Sequence, residues 1–173
     1  MRKIGILVSA VAIPAFASIA PPSGITSALT ASADEEPVFM LHAEGVHVFE
    51  CKPLAADPSR FAWAFSGPDA TLYDGGRPVA RNAAENVFEA ITDRSSVSAA
   101  IRSHQDGGPS NLPWLLLRAR STPDDGLFAR VTSLQRVNTA GGVAPVGGCD
   151  ADNAGKEARA AFTADYYFYR RRG

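Results

Sequence analysis

The sequence predicts an all-β domain: an antiparallel β-sandwich or barrel of about eight strands, with at most one or two short helices. Short runs rich in β-branched and aromatic residues recur along the chain, and clusters of Gly, Pro and Asp separate them. No internal repeat is visible, which disfavours a solenoid or a propeller. The length of 173 residues, with 46% hydrophobic and 20% charged residues, indicates one ordered domain.

The first half of the chain supplies two strand signals and one turn signal. Residues 45–51 are β-branched and aromatic, and Lys52-Pro53 follows them. Residues 61–65 alternate large and small side chains, so the rings share one face of a strand. Residues 74–76 read Asp-Gly-Gly, which is typical of a tight hairpin turn.

The second half is less uniform. Residues 80–101 are rich in alanine and are compatible either with a helix or with two short strands. The continuous apolar run at 113–117 predicts a strand buried on both faces. We expect the longest strand at 127–137, a short helix within 150–159 and a closing aromatic strand at 162–169. In that last strand one alternating pair of rings should face outward.

The N-terminus has the pattern of a secretory signal peptide. Arg2 and Lys3 precede an apolar stretch, residues 4–20, and Ala31-Ser32-Ala33 fits a small-residue cleavage site. We therefore predict a signal peptide at 1–33, a single β domain at 34–173 and a secreted, periplasmic or extracellular location. Ala15-Phe16-Ala17 is an alternative cleavage motif, and an uncleaved anchor is the alternative to cleavage. No later apolar run is long enough to span a bilayer, so we expect no membrane span in the mature chain.

Charge excludes one class of partner. The net charge is −1, and removal of Arg2 and Lys3 leaves 15 basic against 18 acidic residues. Such a domain has no excess of cations to neutralise phosphates, so nucleic acid is not expected as a partner.

Two cysteines, Cys51 and Cys149, are 98 positions apart. An oxidising compartment permits a disulfide between them, and only one pairing is possible. Two separate buried thiols are the alternative. The chain has neither a Cys-x-x-Cys nor a His-x-His pair, so no metal site is expected, and no complete cofactor-binding motif occurs.

Only a few residues of the sequence indicate a function. No catalytic constellation is complete, which favours a non-enzymatic binding or cell-envelope-associated module whose ligand is a small molecule or a glycan. Our candidate binding residues are His47, Arg136 and Asn138. Arg136 and Asn138 are two positions apart, so a strand would place both on one face, where they could bind an anion or a sugar or simply anchor a loop.

The alternative is an extracellular enzyme whose site is assembled around His47, Asp93, Arg136 and Asn138; the catalytic residues themselves are not identified. The shape of the site distinguishes a small-ligand or enzyme site from a surface-binding module. A deep pocket lined by Arg136 and His47 favours a small-ligand or enzyme site, and a shallow aromatic strip favours surface binding.

Several segments together resemble a known family of secreted bacterial and fungal proteins, domain-of-unknown-function family 3455. They are residues 45–53, 63–72, 112–117, 131–145 and 164–169, and the most specific is the Gln-Arg-Val-Asn-Thr-x-Gly-Gly stretch from Gln135. The resemblance covers about residues 38–170. It implies an exported β domain with a Cys51–Cys149 bridge and carries no activity. The family usually has a His and a Trp where this chain has Asn82 and Phe88, so a family site there would be altered.

Overall fold

The computed structural model describes residues 19–121 and 125–173. The predicted signal peptide up to residue 18, including Ala15-Phe16-Ala17, lies outside the described residues. No helix within the described residues is long and apolar enough to cross a membrane. The described residues form eight strands and two one-turn 3-10 helices, which confirms the predicted all-β class. The strands are β1 Glu35–Leu54, β2 Asp57–Asp74, β3 Arg77–Ala84, β4 Val87–Ala90, β5 Ser96–Gln105, β6 Trp114–Ser121, β7 Ser133–Gly141 and β8 Glu157–Arg171.

The sheet closes on itself and forms a barrel rather than a sandwich. Each strand pairs antiparallel with its neighbour in sequence, and β1 also pairs with β8. Gly45 of β1, for example, lies opposite Ala70 of β2 on one side and Phe162 of β8 on the other. Closure leaves no unpaired edge strand, which removes the usual route to edge-to-edge association.

Several predicted boundaries differ from the observed ones. The longest strand is β1, with 20 residues, and not the segment at 127–137. Residues 127–130 form a turn, and β7 begins only at Ser133. The helical alternative for 80–101 is wrong, because that segment contributes to β3, β4 and β5. The helix expected within 150–159 is a single 3-10 turn, Ala151–Asn153, in which the Asp150 carboxylate accepts a hydrogen bond from the backbone N–H of Asn153 at 3.1 Å.

Side chains at alternating positions of the strands point inward and fill the barrel interior. Leu115 and Leu117 on β6 and Tyr166 and Phe168 on β8 belong to one buried cluster, each at most 4% exposed. Leu116, on the opposite face of β6, is also buried, which confirms the predicted burial on both faces for residues 115–117, whereas Trp114 is half-buried and Pro113 is exposed and precedes the strand.

One end of the barrel is packed shut, and we call it the closed end. It is the end of the β2–β3, β4–β5 and β6–β7 connections. Phe128, carried by the β6–β7 connection, is 0% exposed and lies 5.2 Å from Phe168, centroid to centroid. Phe39 stacks on Phe168 at 4.7 Å, and Phe88 meets it edge-on at 5.8 Å. Among the described residues, these rings fill the interior of the barrel at this end.

Residues 21–33 lie against the outside of the barrel, and we call this segment the strap. Its 3-10 turn, Ser27–Leu29, contacts β5 and β6. Pro22 and Leu29 of the strap are buried, and Leu29 is 0% exposed. The strap therefore covers apolar surface that the barrel would otherwise expose on its outer face.

Candidate functional site

A cavity of about 220 Å³ occupies the other end of the barrel, which we call the open end. This end carries the β1–β2, β3–β4, β5–β6 and β7–β8 connections. The cavity lining includes inward-facing side chains of β1, β3, β6, β7 and β8, among them His47, Asn82, Leu115, Arg136 and Tyr166. Leu115, Arg136 and Tyr166 lie opposite one another on the neighbouring strands β6, β7 and β8, and closure of the barrel through the pairing of β1 with β8 places His47 beside them.

Arg136 is the one cation among the described residues that line the cavity. It is 8% exposed, and its Nε and Nη2 donate to the carbonyl oxygen of Pro113 at 3.2 and 2.9 Å. Within the described part of the chain it forms no salt bridge with a carboxylate. A buried guanidinium without a carboxylate is uncommon in structural cores, since desolvation of a charge is costly unless it is paired.

His47 stands beside Arg136 in a group of aromatic rings. Its ring centroid lies 4.7 Å from those of Phe65 and Phe162. Burial, reinforced by the positive charge of Arg136, lowers the pKa of His47 to about 4. The imidazole is therefore neutral at pH 7 and contributes an aromatic surface with one polar edge.

The remaining cavity walls combine aromatic, aliphatic and polar side chains. Phe49 and Phe65 contribute rings at the mouth, where Phe65 is 41% exposed, and Leu115 adds an aliphatic surface. Tyr166 is buried, and burial raises its pKa against the opposing influence of Arg136, so its hydroxyl stays protonated. Asn82 is 4% exposed and donates from Nδ2 to the carbonyl oxygens of Ala84 and Val87, both at 2.8 Å. Its amide thereby fixes the β3–β4 turn at the rim.

The β7–β8 connection forms one side of the mouth and is covalently anchored. Cys51 and Cys149 form a disulfide with Cα atoms 5.3 Å apart. The predicted pairing is therefore confirmed. Trp63 Nε1 also donates to Gly147 in this connection, at 2.7 Å, and residues Gly142 and Val143 line the cavity. The bridge holds β1 and this cavity-lining segment together.

The structure brings His47 and Arg136 together but separates them from Asp93. Asp93 lies in the β4–β5 connection at the closed end. Its carboxylate accepts hydrogen bonds from the backbone N–H of Ser95 at 2.8 Å and of Leu127 at 2.9 Å. Hydrogen bonding by the Ser95 side chain, reinforced by these two backbone bonds, lowers the pKa of Asp93. Asp93 therefore holds the connection that carries Phe128.

Asn138 does not line the cavity either. The expectation that Arg136 and Asn138 share a strand face is wrong, because β7 is bulged between Val137 and Ala140 and Asn138 has a positive φ of 51°. Asn138 is exposed and donates from Nδ2 to Asp165 at 2.9 Å, and the same carboxylate contacts Nδ1 of His42 at 2.7 Å. This polar cluster lies outside the barrel.

Sequence reasoning missed Asn82 and Tyr166 as cavity residues. The alternation of Tyr166 and Phe168 with Tyr167 and Tyr169 indicated that one pair faces inward, but not which pair. Asn82 was singled out only through the family resemblance, as the position where the family usually has a His, because a single buried amide next to a turn otherwise looks like any other polar residue. Among the described residues, no group of three or more His, Cys, Asp or Glu side chains is arranged to hold a metal ion.

Comparison with known proteins gives one match. Residues 86–170 match the family described as "Protein of unknown function (DUF3455)". Over this range the chain resembles DUF3455. The match confirms the resemblance predicted from the sequence over this range. It spans β4 to β8 and includes Arg136 and Tyr166. It does not cover residues 38–85, which contain Asn82 and the first part of the predicted resemblance. No curated protein and no solved structure matches the chain.

Proposed function

We propose that this chain is an exported, non-enzymatic binding protein that holds a small molecule in the open end of its barrel. The observation that carries this proposal is the cavity itself, in which the two sequence-predicted residues His47 and Arg136 meet. A concave, largely apolar site with a few convergent polar groups is the usual form of a small-molecule site. The disulfide supports export, since such bridges persist mainly in oxidising compartments.

The positions of the other candidate residues favour binding over catalysis. An enzyme assembled around His47, Asp93, Arg136 and Asn138 would need these groups within reach of one substrate. Asp93 lies at the closed end and Asn138 on the outer surface, so neither can assist His47. A histidine whose pKa is about 4 is also a weak base at neutral pH.

Thermal-shift screening of the purified protein tests this proposal. Compounds of about ten non-hydrogen atoms and short glycans would be screened, since a ligand that binds the folded state raises the melting temperature. Ile101→Trp fills the mouth without overpacking the core, because Ile101 lines the cavity and is 52% exposed. Val87→Trp is the matched control, because Val87 is also exposed, at 38%, and lies outside the cavity.

We expect at least one compound to raise the melting temperature of the wild type and of Val87→Trp by several degrees and to leave Ile101→Trp unchanged. A screen without any stabilising compound, or equal shifts in both variants, would overturn the proposal.

A further inference from the structure

We infer that the ligand of the cavity is a small organic monoanion, a carboxylate on a flat apolar body, whose charged group binds Arg136. This inference rests on the proposed function and specifies its ligand class. It follows from three properties of the cavity: an unpaired buried cation, a single positive charge and walls made of rings.

The first property is the free hydrogen-bonding capacity of Arg136. A guanidinium has five N–H groups, and two of them, on Nε and Nη2, point to the Pro113 carbonyl. Three N–H groups remain on the two terminal nitrogens, and the hydroxyl of Tyr166 lies close enough to the guanidinium to take up one of them, which leaves two for a ligand. Two parallel N–H groups match the spacing of the two oxygens of a carboxylate, which is the strongest common geometry for this side chain.

The second property is the charge balance. His47 is neutral at pH 7, and Glu85 is exposed at the rim, where water weakens the field of its charge. Arg136 is therefore the one buried charge among the described lining residues. One negative charge on the ligand compensates it, whereas a phosphate dianion would carry a second negative charge that no cation of the described lining compensates.

The third property is size and surface. A dry cavity of about 150 Å³ accepts benzene, so a cavity of about 220 Å³ has room for roughly nine non-hydrogen atoms. The His47 and Phe65 rings, 4.7 Å apart, and the rings of Phe49 and Tyr166 offer flat faces to a ring or a short branched chain.

Isothermal titration at pH 7 with three probes tests the ligand class. Benzoate has the predicted size and charge, benzamide has the same shape without the charge, and inorganic phosphate has charge without an apolar body. A charged hydrogen-bonded pair contributes about ten- to one-hundredfold in affinity, so we expect benzoate to bind more tightly than benzamide by that factor. Phosphate should bind more weakly than benzoate. This comparison uses the unaltered protein.

Arg136→Gln should reduce the preference for benzoate over benzamide to less than threefold. Arg120→Gln is the matched control, because Arg120 is exposed on β6 and does not line the cavity, and it should keep the full preference. If Arg136→Gln does not give the wild-type circular dichroism spectrum, Arg136→Lys replaces it as the test. This variant keeps the positive charge but lacks the pair of parallel guanidinium N–H groups, so it should weaken benzoate binding by about tenfold.

Equal affinities for benzoate and benzamide would overturn the ligand class and leave the proposed function intact. Tighter binding of phosphate than of benzoate, or an unchanged preference in Arg136→Gln, would overturn it as well. A cavity that binds none of the screened compounds overturns the proposed function itself.

A second, independent observation concerns maturation. We propose that the strap stays in the mature protein, so that the leader is cleaved before residue 19 and not after Ala33. The strap supplies hydrogen-bond partners that buried residues of the barrel need. Gln135 is 0% exposed, and its Nε2 donates to the Leu29 carbonyl, while its Oε1 accepts from the Tyr169 hydroxyl.

Further bonds join the strap to β5. The Ser103 hydroxyl donates to the Ala28 carbonyl, and the Gln105 side chain accepts from the Thr26 N–H at 2.9 Å. Cleavage after Ala33 would remove these partners and expose Leu116 and the Gln135 amide on the outer face. A cut after Ala17, at the earlier small-residue motif, keeps all of them.

Intact-mass measurement decides between the two sites. The full chain would be expressed in an exporting bacterial host, and the product would be recovered from the periplasm or the medium. We expect an N-terminus at or before Ile19. An N-terminus at Asp34, or a product that retains Met1, would overturn the proposal.

A truncated chain provides the second measurement. A version that begins at Asp34 should melt about 5–10 °C lower than a version that begins at Ser18, since it loses the burial of Leu29 and the partner of Gln135. Leu29→Ala in the longer version should give part of that decrease, and the exposed Ser27→Ala is its control. Equal melting temperatures of the two versions would overturn the proposal.

Discussion

The two ends of the barrel are built from the same eight strands but differ in what fills them. At the closed end, the rings of Phe39, Phe88, Phe128 and Phe168 pack on one another. At the open end the inward positions hold His47, Asn82 and Arg136, and a cavity remains. A barrel of eight strands has an interior just wide enough for side chains to fill. A vacancy at one end therefore reflects the choice of side chains rather than the size of the barrel.

The connections differ in the same way. The closed-end connection that carries Phe128 is held by hydrogen bonds to Asp93 and Ser95. The open-end connection after β7 is held by the Cys51–Cys149 bridge and by Trp63. The open-end connection lines a cavity and therefore has no packed core to hold it in place. The disulfide holds it instead. Three measurements sharpen this comparison.

The largest expected effect separates the two ends by stability. Phe128→Ala removes a fully buried ring and should cost about 3–5 kcal/mol of unfolding free energy. Phe65→Ala at the mouth removes a ring that is 41% exposed and should cost about 1 kcal/mol. Urea unfolding measures both. Equal losses would show that the open end is as tightly packed as the closed one.

The next effect concerns the covalent anchor. The Cys51→Ala/Cys149→Ala double variant should lose about 2–4 kcal/mol, because the unfolded chain regains the freedom of a long loop. It should also bind cavity ligands more weakly, since the segment with Gly142 and Val143 is released. Denaturant midpoints with and without reductant measure the loss, and the double variant itself should be insensitive to reductant. A wild-type midpoint that reductant leaves unchanged would contradict this account.

The smallest effect is a pH dependence of the open end. The pKa of His47 is about 4 in the folded protein and about 6.5 in the unfolded chain. As the pH falls from 6.5 to 4, the unfolded state binds a proton that the folded state does not, so stability decreases by at most about 3 kcal/mol. His47→Gln should lack this loss, and His42→Gln, outside the barrel, should retain it. Parallel pH profiles for all three proteins would refute the assignment.

The sequence allowed the strand class, the disulfide and the pair His47 and Arg136 to be predicted, because these depend on local patterns and on residue chemistry. The partners of that pair depend on how distant strands are arranged in the barrel. Tyr166 lies opposite Arg136 on the neighbouring strand, but His47 on β1 and Asn82 on β3 reach the same cavity only when the sheet closes. Asn138 was misplaced because a bulge breaks the period of two, and a bulge has no reliable sequence signal when the residue with positive φ is not glycine.

The pairing of β1 with β8 also determines the order in which the protein can fold. Glu35 lies opposite Arg171, so the barrel closes only when β8 pairs with β1. β8 is fifteen residues long and is the last strand to leave the ribosome or a translocation pore. Until then β1 has a long free edge, and its pairing with β8 joins residues more than 100 positions apart, which slows folding. Because residues 35 and 171 lie opposite each other, a circular permutant with these residues joined by a short linker and a new start in an exposed turn should assemble the same barrel with the slow pairing made local, at the lower melting temperature expected for a chain without the strap.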